Sequence, residues 1–86
     1  MNIGFIGAGN MAEAIVKGII AAGQFAPEQI FMSDVFDERI EYMANKYHIN
    51  GILDNKELVN TCDIVVLAVK PQSVDIVFEG IKGCFS

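Results

Sequence analysis

The six residues Gly7-Ala8-Gly9-Asn10-Met11-Ala12 constrain this chain more than any other stretch. They fit the spacing G-x-G-x-x-G/A. Asn2 to Ile6, which read as a short buried strand, stand before them, and a segment with apolar residues at helical spacing follows. Gly7 permits a tight strand-to-helix turn. Gly9 has no Cβ, so phosphates can approach the backbone. Ala12 is small enough for the helix to pack closely on the strand. The free N–H groups and dipole of the first helical turn then make an anion site, with Asn10 and Met11 as further backbone donors. The spacing alone is a weak signal, and a turn that merely connects two elements is the competing reading. The strand before it and the helix after it supply the mechanism.

The rest of the chain repeats the same alternation. The first helix reads from Asn10 to Ala22 on Met11, Ala12, Ile15, Ile19 and Ala22, with Gly23 as the residue that ends it. Phe25-Ala26-Pro27-Glu28 is a turn, and Gln29 to Ser33 a buried strand. Asp37 is the expected cap of a second helix with Ile40, Met43, Ala44 and Tyr47 on one face, ended by Asn50-Gly51. Ile52-Leu53 is a short strand candidate. Asp54, with Glu57 three residues on, caps a brief helix to about Thr61. Asp63 to Val69 is the strongest strand in the chain, apolar on both faces as a central parallel strand must be. Pro71 stops it, and Val74, Val77, Phe78 and Ile81 mark a last amphipathic helix. This β-α-β-α-β-α-β-α order implies an α/β fold, a Rossmann-type open parallel sheet with helices on both faces. Such sheets go on past a fourth strand. The 86 residues therefore read as one domain, truncated after the fourth strand and its helix.

Two further places complete a dinucleotide site. Asp34 stands at the end of the second strand, where an acidic residue about 20 positions past the fingerprint grips the adenosine ribose in NAD enzymes. A turn carboxylate is the plainer alternative. A carboxylate there repels a 2′-phosphate, and Arg39, inside the next helix, is the nearest arginine that could offset it. The residues lean toward NADH and leave NADPH open. Ala68-Val69-Lys70-Pro71 lies at the carboxyl end of the strongest strand, beside the first strand and on the nicotinamide side. Lys70 reads either as a phosphate or ribose contact or as a solvated lysine.

Composition removes several classes of function. The net charge is −5, and the six basic residues are scattered without a stripe, which speaks against nucleic acid and acidic membranes. No apolar run approaches the roughly 20 residues that span a bilayer, and the N-terminus lacks a secretory pattern, so a cytoplasmic protein is expected. Cys62 and Cys84 have no metal-ligand spacing and read as reduced thiols. His48 reads as a surface residue at a helix end. No catalytic triad, P-loop or metal motif appears.

Three stretches make the chain resemble the pyrroline-5-carboxylate reductases over nearly its whole length. They are Ile3-Gly4-Phe5-Ile6-Gly7-Ala8-Gly9-Asn10-Met11-Ala12-Glu13-Ala14-Ile15, Lys17-Gly18, and Val65-Val66-Leu67-Ala68-Val69-Lys70-Pro71-Gln72. The opening GFIGAGNMA is shared with related reductases, including some F420-dependent NADP reductases. Its combination with LAVKPQ is more specific. The resemblance implies reduction of the C=N bond of 1-pyrroline-5-carboxylate to L-proline, by hydride from nicotinamide C4 of NADPH or NADH. It puts cofactor contacts on Ile6, Gly7, Ala8, Gly9, Asn10, Met11, Asp34, Asn55, Ala68, Val69, Lys70 and Pro71. Asn55 has an equally plain reading as a first-turn helix residue. It also implies a second, all-helical domain outside this chain, which forms the dimer and supplies most substrate contacts. The 86 residues alone are then expected to bind dinucleotide weakly and to reduce nothing. Many family members carry a small or basic pair near position 34, where this chain has Asp34-Val35. Two other readings stay open: a non-catalytic dinucleotide-sensing module, and a reductase of the same fold with another substrate.

Overall fold

A computed structural model describes residues 1–52, 54–69 and 79. Strand β1 (Ile3–Ile6) leads into helix α1 (Asn10–Ala21). A 3-10 turn (Pro27–Gln29) enters β2 (Ile30–Ser33), followed by α2 (Asp37–Tyr47), the two-residue β3 (Asn50–Gly51), α3 (Asn55–Thr61) and β4 (Ile64–Leu67). The four strands form one sheet in the order β3-β2-β1-β4, and every pairing is parallel. Ile3 to Ile6 pair with Ile30 to Ser33 on one side and with Ile64 to Leu67 on the other.

Side chains alternate across a strand, so each face has its own core. On one face Ile3, Phe5, Ile30 and Met32 pack with Ala12 and Val16 of α1 and Met43 of α2. On the other, Ile6 packs with Leu58 and Val59 of α3, joined by Phe31, Val65 and Leu67. Helices therefore cover both faces, as the alternation requires. The sheet order reverses at β1, whose neighbours are β2 and β4. That reversal is what opens a crevice at the carboxyl ends of an α/β sheet.

Several boundaries differ from the sequence expectation, each for a local reason. Helix α1 buries Ala12 and Val16, while Met11 and Ile15 are exposed, so its inner face is turned from the one expected. Ala22 is its C-cap, and Gly23 follows in the left-handed conformation at φ 71°. Phe36, not Asp37, is the extended residue that caps α2, and Asp37 opens the helix proper. At the far end α2 stops at Tyr47, because His48 takes a left-handed conformation at φ 63°. The chain turns earlier than expected, so Asn50-Gly51 pairs with Phe31 and Met32 and forms the strand expected at Ile52-Leu53. Ile52 still donates its N–H to Met32 O at 2.9 Å, and Leu53 lies outside the described residues. Asp54 caps α3 as expected, its carboxylate accepting the Lys56 N–H at 3.0 Å. Among the described residues β4 is an edge strand, half-buried rather than covered on both faces. The helix expected around Val74, Val77, Phe78 and Ile81 falls outside the described residues.

Candidate functional site

The glycine turn sits where the carboxyl ends of three strands meet. Gly7 N–H donates to Ser33 O at the end of β2 (2.7 Å), and Ala68 N–H, just past β4, donates to Ile6 O at the end of β1 (2.8 Å). Gly7 is at φ 109°, a conformation that L side chains rarely adopt. A Cβ there would overlap the Ala68 carbonyl oxygen and lie 2.8 Å from its carbon. Gly9 is different. Its φ of −80° suits any residue, and among the described residues a Cβ would meet no atom within 4 Å. The space above Gly9 is open, and it adjoins the N-terminus of α1. Among the described residues no side chain caps that terminus, so its first N–H groups keep their capacity for an anion. Asn10 and Met11 are exposed there, while Ala12 is fully buried and brings the helix down onto the sheet.

Asp34 reaches the same turn. Its Oδ2 accepts the Ala8 N–H at 2.6 Å, and its Oδ1 accepts the Phe36 N–H at 2.9 Å, forming a local turn at the end of β2. Val35 and Phe36 beside it are 89% and 62% exposed, so an apolar rim flanks the acid.

Arg39 is a site residue whose place the sequence did not reveal. Its Nε donates to Ala8 O at 2.6 Å, and its guanidinium carbon lies 4.7 Å from the centre of the Tyr42 ring. It also pairs with Glu13 Oε1 at 3.4 Å. Glu13 Oε2 accepts the hydroxyls of Tyr47 and Tyr42, each at 2.7 Å, and Lys46 Nζ at 3.3 Å. These donors favour the charged form. The Tyr47 and then the Tyr42 hydroxyl hold the Glu13 pKa down to about 2, from an ordinary 4.5. The Tyr42 hydroxyl and Glu13 in turn push the Lys46 ammonium upward. The signal available in sequence was the i, i+4 pair Tyr42–Lys46, which marks one face of α2. Nothing in the sequence said that this face meets Glu13.

Asn55 is brought in by Ser33, to which the sequence gave no role beyond the end of a strand. Ser33 is buried at the end of β2, and its hydroxyl donates to Asn55 Oδ1 at 2.5 Å. With the oxygen so engaged, the Asn55 amide keeps both N–H donors for another partner. Ala68 and Val69 are half-buried beyond β4, and Val69 lies close to Gly7. Lys70 and Pro71 fall outside the described residues. The structure therefore brings Ile6 through Gly9, Asp34 and Ala68 to one place, with Asn10 and Met11 at its helical rim.

Cys62 is a free thiol next to α3. Burial, and then Asp63, push its pKa up and keep it from acting as a thiolate. Among the described residues no group of three His, Cys, Asp or Glu could hold a metal ion, and no helix is long and apolar enough to cross a membrane. The fold and turn fit a dinucleotide on structural grounds: an open cradle over Gly9, an uncapped helix N-terminus, and a carboxylate at the end of β2.

Comparison with known proteins agrees with this arrangement. The chain is 42% identical over 80 residues to a pyrroline-5-carboxylate reductase of Methanosarcina acetivorans, covering 93% of this chain and 30% of that protein. It is 37% identical over 83 residues to one from Synechocystis sp., covering 96% of this chain and 31% of that protein. Among solved structures, a pyrroline-5-carboxylate reductase from Coxiella burnetii superposes with a TM-score of 0.92 at 38% identity, covering 99% of this chain and 31% of that one. The Plasmodium falciparum pyrroline carboxylate reductase with NADP bound gives 0.83 at 31% identity, covering 98% of this chain and 29% of that one. The chain thus spans less than a third of the length of these relatives. The model of one family, described as NADP oxidoreductase coenzyme F420-dependent, matches residues 2–84, and the chain belongs to that family.

Proposed function

We propose that these 86 residues are the cofactor-binding domain of a pyrroline-5-carboxylate reductase, which reduces 1-pyrroline-5-carboxylate to L-proline. The observation that carries this reading is the open cradle over Gly9 at an uncapped helix N-terminus, in a chain matched along nearly its full length by reductases of that name. Ile6, Gly7, Ala8, Gly9, Asn10 and Met11 would receive the pyrophosphate. Asp34 would stand at the adenosine end, and Asn55, Ala68, Val69, Lys70 and Pro71 toward the nicotinamide. The bound nicotinamide supplies the hydride, and this domain holds and orients it. The cofactor is NADPH or NADH, and NADPH draws support from the family description and from the NADP-bound relative.

The substrate site and the subunit contact would belong to a further helical domain, giving a cytoplasmic homo-oligomer that acts on a small molecule. A reductase of the same family with another substrate is the second reading, favoured by the family description itself. The test is a calorimetric titration of the folded 86-residue chain with NADPH and with NADH. Binding of either supports the cofactor reading. A folded chain that binds neither at millimolar concentration defeats it. Proline-dependent reduction of NAD(P) by the 86 residues alone would overturn the assignment of the substrate site to a further domain.

A further inference from the structure

We infer that Asp34 and Arg39 form a clamp on Ala8 that aims the phosphate cradle, and that they do not set the choice between NADH and NADPH. This rests on the dinucleotide reading and deepens it. Ala8 lies between two glycines, where the backbone has the most freedom to rotate. Both of its polar groups are nevertheless held by charged side chains. Asp34 Oδ2 accepts its N–H and Arg39 Nε donates to its C=O, each at 2.6 Å. These bonds fix two successive peptide planes, Gly7–Ala8 and Ala8–Gly9.

The second plane matters most. In a trans peptide the C=O and the following N–H point in opposite directions. With the Ala8 C=O turned to Arg39, the Gly9 N–H is turned away from it. Gly9 is also the residue whose missing side chain leaves open space. Arg39 is itself held, by Glu13 at 3.4 Å and by the Tyr42 ring beneath its guanidinium. The acid comes from the end of β2 and the base from the first turn of α2. One strand–helix junction therefore orients the turn that leaves the neighbouring strand. Asp34 and Arg39 are positioning residues. Their loss should be felt by every ligand that carries the pyrophosphate, whatever its 2′ substituent.

The test measures NADH and NADPH dissociation constants for the 86-residue chain and for Asp34→Ala, Arg39→Ala and Asp34→Asn. Loss of one charge-assisted hydrogen bond should weaken both cofactors about tenfold in each alanine variant, with their ratio unchanged within about twofold. Asp34→Asn keeps a carbonyl to accept the Ala8 N–H, so it should restore most of the affinity for both. A rise in the NADPH/NADH preference above about fivefold in Asp34→Ala would show that Asp34 reads the 2′ position. A selective loss of NADPH in Arg39→Ala would show that Arg39 grips the 2′-phosphate. Either outcome overturns the inference that these residues only position the turn.

Amide exchange in the ligand-free chain gives a readout that does not depend on cofactor. The Ala8 N–H should exchange at least about tenfold faster in Asp34→Ala, with the buried Phe5 N–H unchanged as the control for folding. Equal Ala8 exchange in both proteins would end the proposal. Failure of the unsubstituted chain to bind either cofactor would instead end the functional reading, and the exchange result would still decide whether Asp34 holds Ala8.

Discussion

A methyl group at position 7 has no place to go. The left-handed φ of 109° and the Ala68 carbonyl beside it both oppose one. Gly7→Ala should therefore lower stability by about 2–4 kcal/mol, from backbone strain and local overpacking together. Denaturant unfolding of the two proteins would measure it, and a loss below about 1 kcal/mol would mean that β4 yields easily. The roles of Gly7 and Ala12 were readable from sequence because they follow from backbone geometry and helix–strand distance, which the spacing encodes. Arg39 and Ser33 were not. Each acts through a contact across more than 20 positions, to Ala8 and to Asn55, that only the packed sheet creates. Asp34 was legible as a place and as a turn carboxylate, which its bond from the Phe36 N–H bears out; its bond from the Ala8 N–H, 26 positions away, was not.

The two helices on one face are tied together by Glu13. Its carboxylate in α1 meets Arg39, Tyr42, Lys46 and Tyr47 of α2. Its folded pKa of about 2 lies below the ordinary 4.5, so the tie adds stability above pH 4.5 and loses it as the pH falls toward 2. Glu13→Gln should be less stable than the unsubstituted chain at pH 7, and the gap should narrow between pH 4.5 and 2. A gap independent of pH, followed by circular dichroism in urea, would show that the charge is not what joins the helices. At this scale, element existence was legible and element ends were not. Periodicity marks α1 and α2, yet it does not say that Val16 faces the core while Ile15 faces water. Nor does it say that His48 leaves the helix early enough for Asn50-Gly51 to pair. The parallel sense of the strands followed from alternation, and the fourth strand was expected beside the first, but the rest of the sheet order came only from the packed structure.

A domain of 86 residues has little stability to spare, which makes ligand binding easy to see as heat resistance. At a hundredfold excess over its dissociation constant a cofactor adds about 2.7 kcal/mol, or roughly 10–20 °C in melting temperature for a domain this small. A thermal scan with and without NADPH should show that rise, and an unchanged melting temperature under saturating cofactor would contradict it. Placing a methyl on Gly9 should leave the ligand-free melting curve where it is, because nothing among the described residues stands in its way. It should abolish the rise, because the methyl would occupy the space over the turn. Position 9 is in this sense invisible to folding. A library of variants sorted only for surviving heat would accept many residues there while keeping glycine at 7, and the same library sorted with cofactor present would demand glycine at both. The two glycines of one turn answer to different selections, and comparing the sorts would show which part of the motif belongs to the fold and which to its ligand.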